Sequence, residues 1–210
     1  MTRNIHLCSR TLSPWTAAFL LLSVTATAGN PTAWQVRGGT VKFDASTNLS
    51  AISIHGQSSA INAELTLRRN TGSVDVETLR AVVDPKTLST GMSLRDQHMR
   101  QKIFTTNNQL PPLEFVGEKT TCPELPPNQD VTCQITGNLS LRGVGKPFSM
   151  RLRIRSDSKG FRVAGDGVMG LSVYGINPPC QLGVCVTDEV KLHLEFQVRE
   201  ALGMRSGGVR

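Results

Sequence analysis

Aromatic residues are scarce in this sequence: one Tyr, two Trp and seven Phe, 5% of 210 residues. Binding single-stranded nucleic acid relies on aromatic platforms, and no basic stripe interleaves with the few present, so nucleic acid is excluded as a partner. Histidine is scarce too. His55, His98 and His193 show no paired spacing of the kind that holds a metal, so no metal site is expected. A G-x-S-x-G nucleophile elbow is absent. So is the strand–helix alternation of a parallel sheet, which removes the α/β classes. Long apolar runs are missing as well. The best candidate, residues 15–24 (WTAAFLLLSV), is about half the roughly twenty residues that a membrane-spanning helix needs.

That short run has a different meaning. It follows Arg3 and Arg10 and leads to small residues at Ala26 and Ala28, the order found in a secretory signal peptide. Residues 1–28 are therefore expected to be cleaved near Ala28. Residues 29–200 should form one domain, and the basic end 201–210 should fray. Cys8 precedes the apolar run, which argues against a lipoprotein anchor. The formal charge of +7 loses two arginines with the leader. The remainder reads first as a solvated surface and second as a mild attraction to anionic lipid headgroups.

Removing the leader leaves Cys122, Cys133, Cys180 and Cys185. An even number in an exported chain favours disulfides. Of the three ways to pair them, the local pairs Cys122–Cys133 and Cys180–Cys185 are expected, since each closes a short loop between strand-like segments. A zinc site is the rival for CQLGVC, but four residues intervene and no histidine lies nearby.

What the sequence has in quantity is alternation. In VKLHLEFQV, Val190, Leu192, Leu194, Phe196 and Val198 share one face, the period of two that marks a half-buried antiparallel strand. PFSMRLRIR repeats it with Phe148, Met150, Leu152 and Ile154. Val131, Cys133, Ile135, Gly137, Leu139 and Leu141 form a third such face, and Phe161, Val163, Gly165, Gly167, Met169 and Leu171 a fourth. Weaker candidates cover residues 40–44, 49–56, 60–68, 73–83 and 113–119. Turn chemistry at SDSKG, RGVGKP and RRNTGS separates the runs. About eight antiparallel strands in one domain indicate a sandwich or a barrel. The long strands and the glycines on apolar faces favour the barrel, where missing side chains allow bends or leave interior space.

One stretch breaks the pattern: TGMSLRDQHMRQKIF, residues 90–104. Asp96 and His98 invite a catalytic reading, but two residues apart on a helix their side chains diverge by about 200°. Ser93 with Asp96 three residues on predicts a capping box. Met92, Met99 and Ile103 predict an apolar stripe, and Arg100 and Lys102 suit the C-terminal end of a short helix near 93–103. Arg95 is unexplained by capping, and is expected to have an acidic or backbone-carbonyl partner elsewhere. No catalytic residue is assigned, and the chain is not expected to be an enzyme.

LSTGMSLRDQHMRQKIF, LPPLEF, ITGNLSLRGVGKPFSM and the closing pair LSVYGINPP and VTDEVKLHLEFQV occur in this order. Together they resemble the successive motifs of the YceI-like family of exported lipid-binding proteins, over residues 34–199. The four mature cysteines are not part of that family's general pattern. The resemblance implies a lipocalin-like antiparallel β-barrel in the periplasm. It would sequester or carry a polyisoprenoid or isoprenoid-quinone-like amphiphile, with no cofactor and no catalysis. A homodimer is left open. The alternating faces nominate Ile135, Leu139, Met150, Leu152, Val163, Gly165, Met169, Leu192, Leu194 and Phe196 as ligand lining. Arg95, His98 and Arg100 are candidates for the headgroup end. The competing expectation is a ligand-free structural or interaction module, with a filled core, in the envelope stress response.

Overall fold

The structure, a computed structural model, describes residues 30–158 and 160–200. The expected leader and frayed tail lie outside the described residues. The strands are β1 (Thr32–Thr47), β2 (Ser53–Ser58), β3 (Ile61–Asn70), β4 (Ser73–Val83), β5 (Leu113–Gly117), β6 (Thr120–Pro123), β7 (Asp130–Leu141), β8 (Val144–Asp157), β9 (Gly160–Gly170), β10 (Cys180–Gln181) and β11 (Val184–Glu200). One α-helix, α1 (Ser93–Met99), runs directly into a π-helical turn at Arg100–Phe104.

All named pairings are antiparallel, and the ladder returns to its start. From β11 it passes through β9, β8, β7, β5, β4 and β3 to β1, and β1 pairs back to β11. The sheet is a closed barrel. There are eleven strands rather than about eight. Ser59–Ala60 splits the stave formed by β2 and β3, a break splits β5 from β6, and β10 is only the short arm of a hairpin with β11. The alternation of the four strong runs survives intact: Leu152 sits opposite Gly165, and Gly165 opposite Leu194. Residues 32–39 were missed as strand because Gly38 and Gly39 interrupt the pattern, at a bulge in the β1–β11 ladder.

The two ends of the barrel differ. One, here the turn end, carries the tight connections Asn70–Ser73 and Asp157–Gly160. The other, the helix end, carries the excursion 84–112 with α1, the loop 48–52 and the segment 171–183. Trp34, Leu67, Val74, Cys122, Cys133, Ile154, Phe161 and Val198 fill the turn end, with Trp34 tilted on Phe161 at 4.7 Å between centroids. Leu88, Phe104, Leu139, Phe148, Met169, Leu171, Tyr174, Ile176 and Val190 fill the helix end. Both expected disulfides are present, Cys122–Cys133 in the first cluster and Cys180–Cys185 at the rim of the helix end.

The glycines do not leave empty space. A Cβ on Gly165 would meet Leu152 Cδ2 at 2.7 Å and Met150 Sδ at 2.9 Å, and one on Gly167 would meet the Phe148 ring at 2.5 Å. Neighbouring side chains have moved into the volume that the glycines vacate.

Candidate functional site

Between the two buried clusters lies a belt of inward-facing apolar residues that are only partly buried. It contains Phe43 of β1, Leu65 of β3, Leu79 of β4, Phe115 of β5, Met150 of β8, and Leu192, Leu194 and Phe196 of β11. Phe115 and Met150 touch both clusters, which places them midway along the barrel. In a closed barrel, solvent reaches an inward side chain only from interior space or through a gap in the wall. Phe196 and Val163 also line a hollow of about 660 Å³ beside the Gly38–Gly39 bulge, together with Arg162, Glu195 and Gln197. Partly buried apolar residues also flank the end clusters, among them Val36 and Leu125 at the turn end and Ile54, Leu110 and Leu113 at the helix end.

The ten lining candidates divide accordingly. Met150, Leu192, Leu194 and Phe196 lie in the belt, while Ile135, Leu139, Leu152, Val163, Gly165 and Met169 are packed in the closed clusters or against them. Phe43, Leu65, Leu79 and Phe115 belong to the belt but were not singled out, because they sit on weakly alternating or short strands. The signal was the same alternation, diluted by Ala63, Ala81 and Gly117 on the same inward faces.

The stretch 90–104 lies across the helix end. Met99, Ile103 and Phe104 pack into the cluster there. Met92 does not join them: it is exposed, as is Leu94, because the helix begins only at Ser93 and the chain enters it from outside the barrel. The capping box does not form either. Met92 occupies the N-cap with no side-chain bond, and Asp96 reaches backwards instead. Its buried carboxylate accepts from Ser89 Oγ (2.8 Å), from the Thr90 N–H (2.7 Å) and from Thr90 Oγ1 (2.5 Å). Burial pushes the Asp96 pKa up. The bonds from Thr90 and Ser89 and the nearby Arg100 charge outweigh it, and the pKa ends below the ordinary value.

Arg95 finds the backbone-carbonyl partner that was expected. Its Nε donates to Thr90 Oγ1 (2.8 Å) and its Nη2 to the Thr90 carbonyl (2.7 Å). Thr90 is thus held between Arg95 and Asp96, which fixes the loop leading into α1. His98 and Arg100 are half-buried, and among the described residues no hydrogen bond joins His98 to Asp96.

The structure also assembles a cluster that sequence spacing hid. On the outer wall, His55 Nδ1 bonds Asp44, His193 Nε2 approaches the other Asp44 oxygen (3.1 Å), and His193 Nδ1 bonds Asp166 (2.6 Å). Four strands contribute one residue each. The hydrogen bond from His55 chiefly lowers the Asp44 pKa, and with the charges of both imidazoles and the His193 bond it outweighs the opposing effect of burial. Among the described residues no group of three or more His, Cys, Asp or Glu side chains is arranged to hold a metal ion.

The YceI-like domain matches residues 33–198. The chain belongs to the YceI-like family. Two solved structures share the YceI-like fold seen here. A polyisoprenoid-binding domain from Saccharophagus degradans, implicated in plant cell wall breakdown, is 13% identical with a TM-score of 0.57. It covers 81% of this chain and 99% of its own. BcnA of Burkholderia cenocepacia is 12% identical with the same TM-score of 0.57, over 76% of this chain and 95% of its own. No curated protein matches the chain. At such identities the likeness extends to the YceI-like fold alone, and residue roles must come from the barrel itself.

Proposed function

We propose that this protein is a periplasmic, non-enzymatic carrier that holds the chain of a polyisoprenoid or isoprenoid-quinone-like amphiphile in the middle belt of its barrel. The observation that carries the reading is the partial accessibility of Phe43, Leu65, Leu79, Phe115, Met150, Leu192, Leu194 and Phe196 between two buried clusters. On β11 three successive inward positions, Leu192, Leu194 and Phe196, stay partly buried between the buried Val190 and Val198. Each methylene of a lipid placed against these residues gains about 0.8 kcal/mol, and an isoprenoid tail asks for few polar partners. Membership of the YceI-like family, and the name of the Saccharophagus degradans domain, support the ligand class.

Within this reading the lining narrows to Met150, Leu192, Leu194 and Phe196, with Phe43, Leu65, Leu79 and Phe115 added. His98 and Arg100 remain the headgroup candidates, while Arg95 holds Thr90. The disulfides and the leader-like residues 1–28 support export to an oxidising compartment. Trp34 is the only tryptophan outside the leader and packs in the turn-end cluster. Titration with an isoprenoid quinone should quench its emission saturably, and a short-chain quinone lacking the tail should do so far more weakly. Equal quenching by both would reduce the effect to collision and remove the carrier reading, leaving a filled-core interaction module.

A further inference from the structure

Seven of the nine large apolar side chains exposed among the described residues gather at one end of the barrel, and the other two, Val116 and Val168, lie on strands β5 and β9. Leu49, Ile52, Met92, Leu94, Val173 and Leu182 are exposed on connections at the helix end, and exposed Val144 opens β8 there. Of the large apolar side chains exposed among the described residues, none lies at the turn end. Scattered exposed hydrophobics carry no meaning, but segregation of this kind marks a contact face.

Leu182 is the sharpest member. It occupies the tip of the β10–β11 hairpin and is 97% exposed. Its φ is 51° and that of Gly183 is 80°, the mirror-image two-residue turn whose first position suits Asn, Asp or Gly. Leucine therefore accepts an unfavourable backbone conformation and recovers nothing by burial in the barrel. The tip is nevertheless held rigidly. Cys180–Cys185 staples it, and Asn48 binds it with its Nδ2 to the Gly183 carbonyl and its Oδ1 to the Cys185 N–H. Asn48 also brings the exposed Leu49 beside the hairpin, and Thr47 Oγ1 donates to the carbonyls of Leu49 and Ile52.

Charge around this end decides what the face meets. Lys86, Lys102 and Arg142 stand on the same connections and Lys146 near the start of β8, and none forms an ion pair among the described residues. Of the acids at this end only Glu114 is paired with a cation, Arg80. Asp84, Asp96 and Asp188 accept from the Lys86 N–H, from Ser89 and Thr90, and from Ser172, and they keep their charge. Arg95 and Arg100 add to the four cations, so positive charge still exceeds negative there. Apolar tips ringed by free cations match the interface of an anionic bilayer, where hydrocarbon lies under negative headgroups.

We infer that the helix end is a membrane-docking face, with Leu182, Leu49 and Ile52 entering the interface of an anionic bilayer and Lys86, Lys102, Arg142 and Lys146 at headgroup level. Docking this way would set the barrel's helix end against the lipid source, but the inference stands whether or not the belt holds a lipid.

Vesicle flotation of the full mature chain tests it. The protein should float with vesicles of phosphatidylethanolamine and phosphatidylglycerol and not with phosphatidylcholine alone, and added salt should release it. Leu182→Asn suits the turn better than leucine, so its thermal stability should hold or rise. Its partitioning should nevertheless fall about tenfold, the effect of withdrawing one leucine from an apolar phase. Lys102→Glu with Lys146→Glu should weaken binding to the anionic vesicles by more than tenfold, since each surface cation contributes about fivefold. Leu182→Trp should shift its emission to the blue with anionic vesicles only. Failure of the wild-type chain to float overturns the inference, and so does equal flotation of Leu182→Asn. Lipid in the belt without flotation would overturn docking and leave the carrier reading standing.

Discussion

Each end of the barrel has one disulfide, and the two are used differently. Cys122–Cys133 is buried at the turn end, among Val74, Ile135 and Leu152, where it joins β6 to β7 inside the core. Cys180–Cys185 lies at the rim of the helix end and secures a hairpin whose tip faces solvent. The first bond replaces packing that a short, interrupted stave cannot supply. The second fixes the position of a surface. A barrel that closes firmly at one end and presents ordered, apolar connections at the other has one end for stability and one for contact.

That contrast can be broken by mutation. The largest effect is expected from Cys122→Ala with Cys133→Ala. Loss of the cross-link raises the entropy of the unfolded chain, and the vacated core adds a cavity term, for about 3 kcal/mol or more in denaturant unfolding. Next comes Asp96→Ala, which leaves Ser89 and Thr90 donors without their charged acceptor and should cost about 2 kcal/mol. Its damage should be local, with hydrogen exchange rising in 84–112 before the turn end responds. Cys180→Ala with Cys185→Ala opens a shorter loop and empties no core, so about 2 kcal/mol is an upper bound. Leu182→Asn should be the smallest change, a gain of under about 1 kcal/mol from relief of the left-handed leucine.

Acid sharpens the same comparison. Asp96 at the helix end, Asp44 on the wall and Asp75 near the turn end all have folded pKa values lowered from 3.8. Thr121 and Asn70 are the leading causes at Asp75. A lowered folded pKa means that each carboxylate contributes stability above its unfolded pKa and loses it as pH falls through the folded one. Melting temperature should therefore hold steady above about pH 5 and drop below about pH 4. Asp96→Asn should flatten part of that drop. An unchanged acid limb in Asp96→Asn would show that its bonds to Thr90 contribute little.

Much of the barrel was legible in sequence because its four strongest strands alternate strictly, and a period of two leaves one register that buries the apolar face. The local disulfides were legible for a related reason, since each pair joins segments that the hairpins bring side by side. The belt was less legible. Lining and core have the same composition, so Met150 and Leu152, two residues apart on β8, look alike in sequence and differ in burial only through what packs opposite. Asp96 was read as a capping partner of Ser93 because the spacing fits, but bonds to Thr90 and Ser89 are available only once the preceding loop turns back. His55 and His193, 138 residues apart in sequence, meet through Asp44 only after β1 has paired with both β2 and β11.

The central claim is that the belt between the two closed clusters holds a lipid chain. Native mass spectrometry of the protein, purified without detergent, tests it most directly beside a variant carrying Leu194→Trp. The account predicts an added mass on the wild-type chain, identified as an isoprenoid-type lipid by organic extraction. The variant should fold with the same melting profile and lack that mass, because the indole occupies the belt. A wild-type protein that emerges empty and takes up no isoprenoid quinone, or a variant that retains the lipid in full, would contradict it.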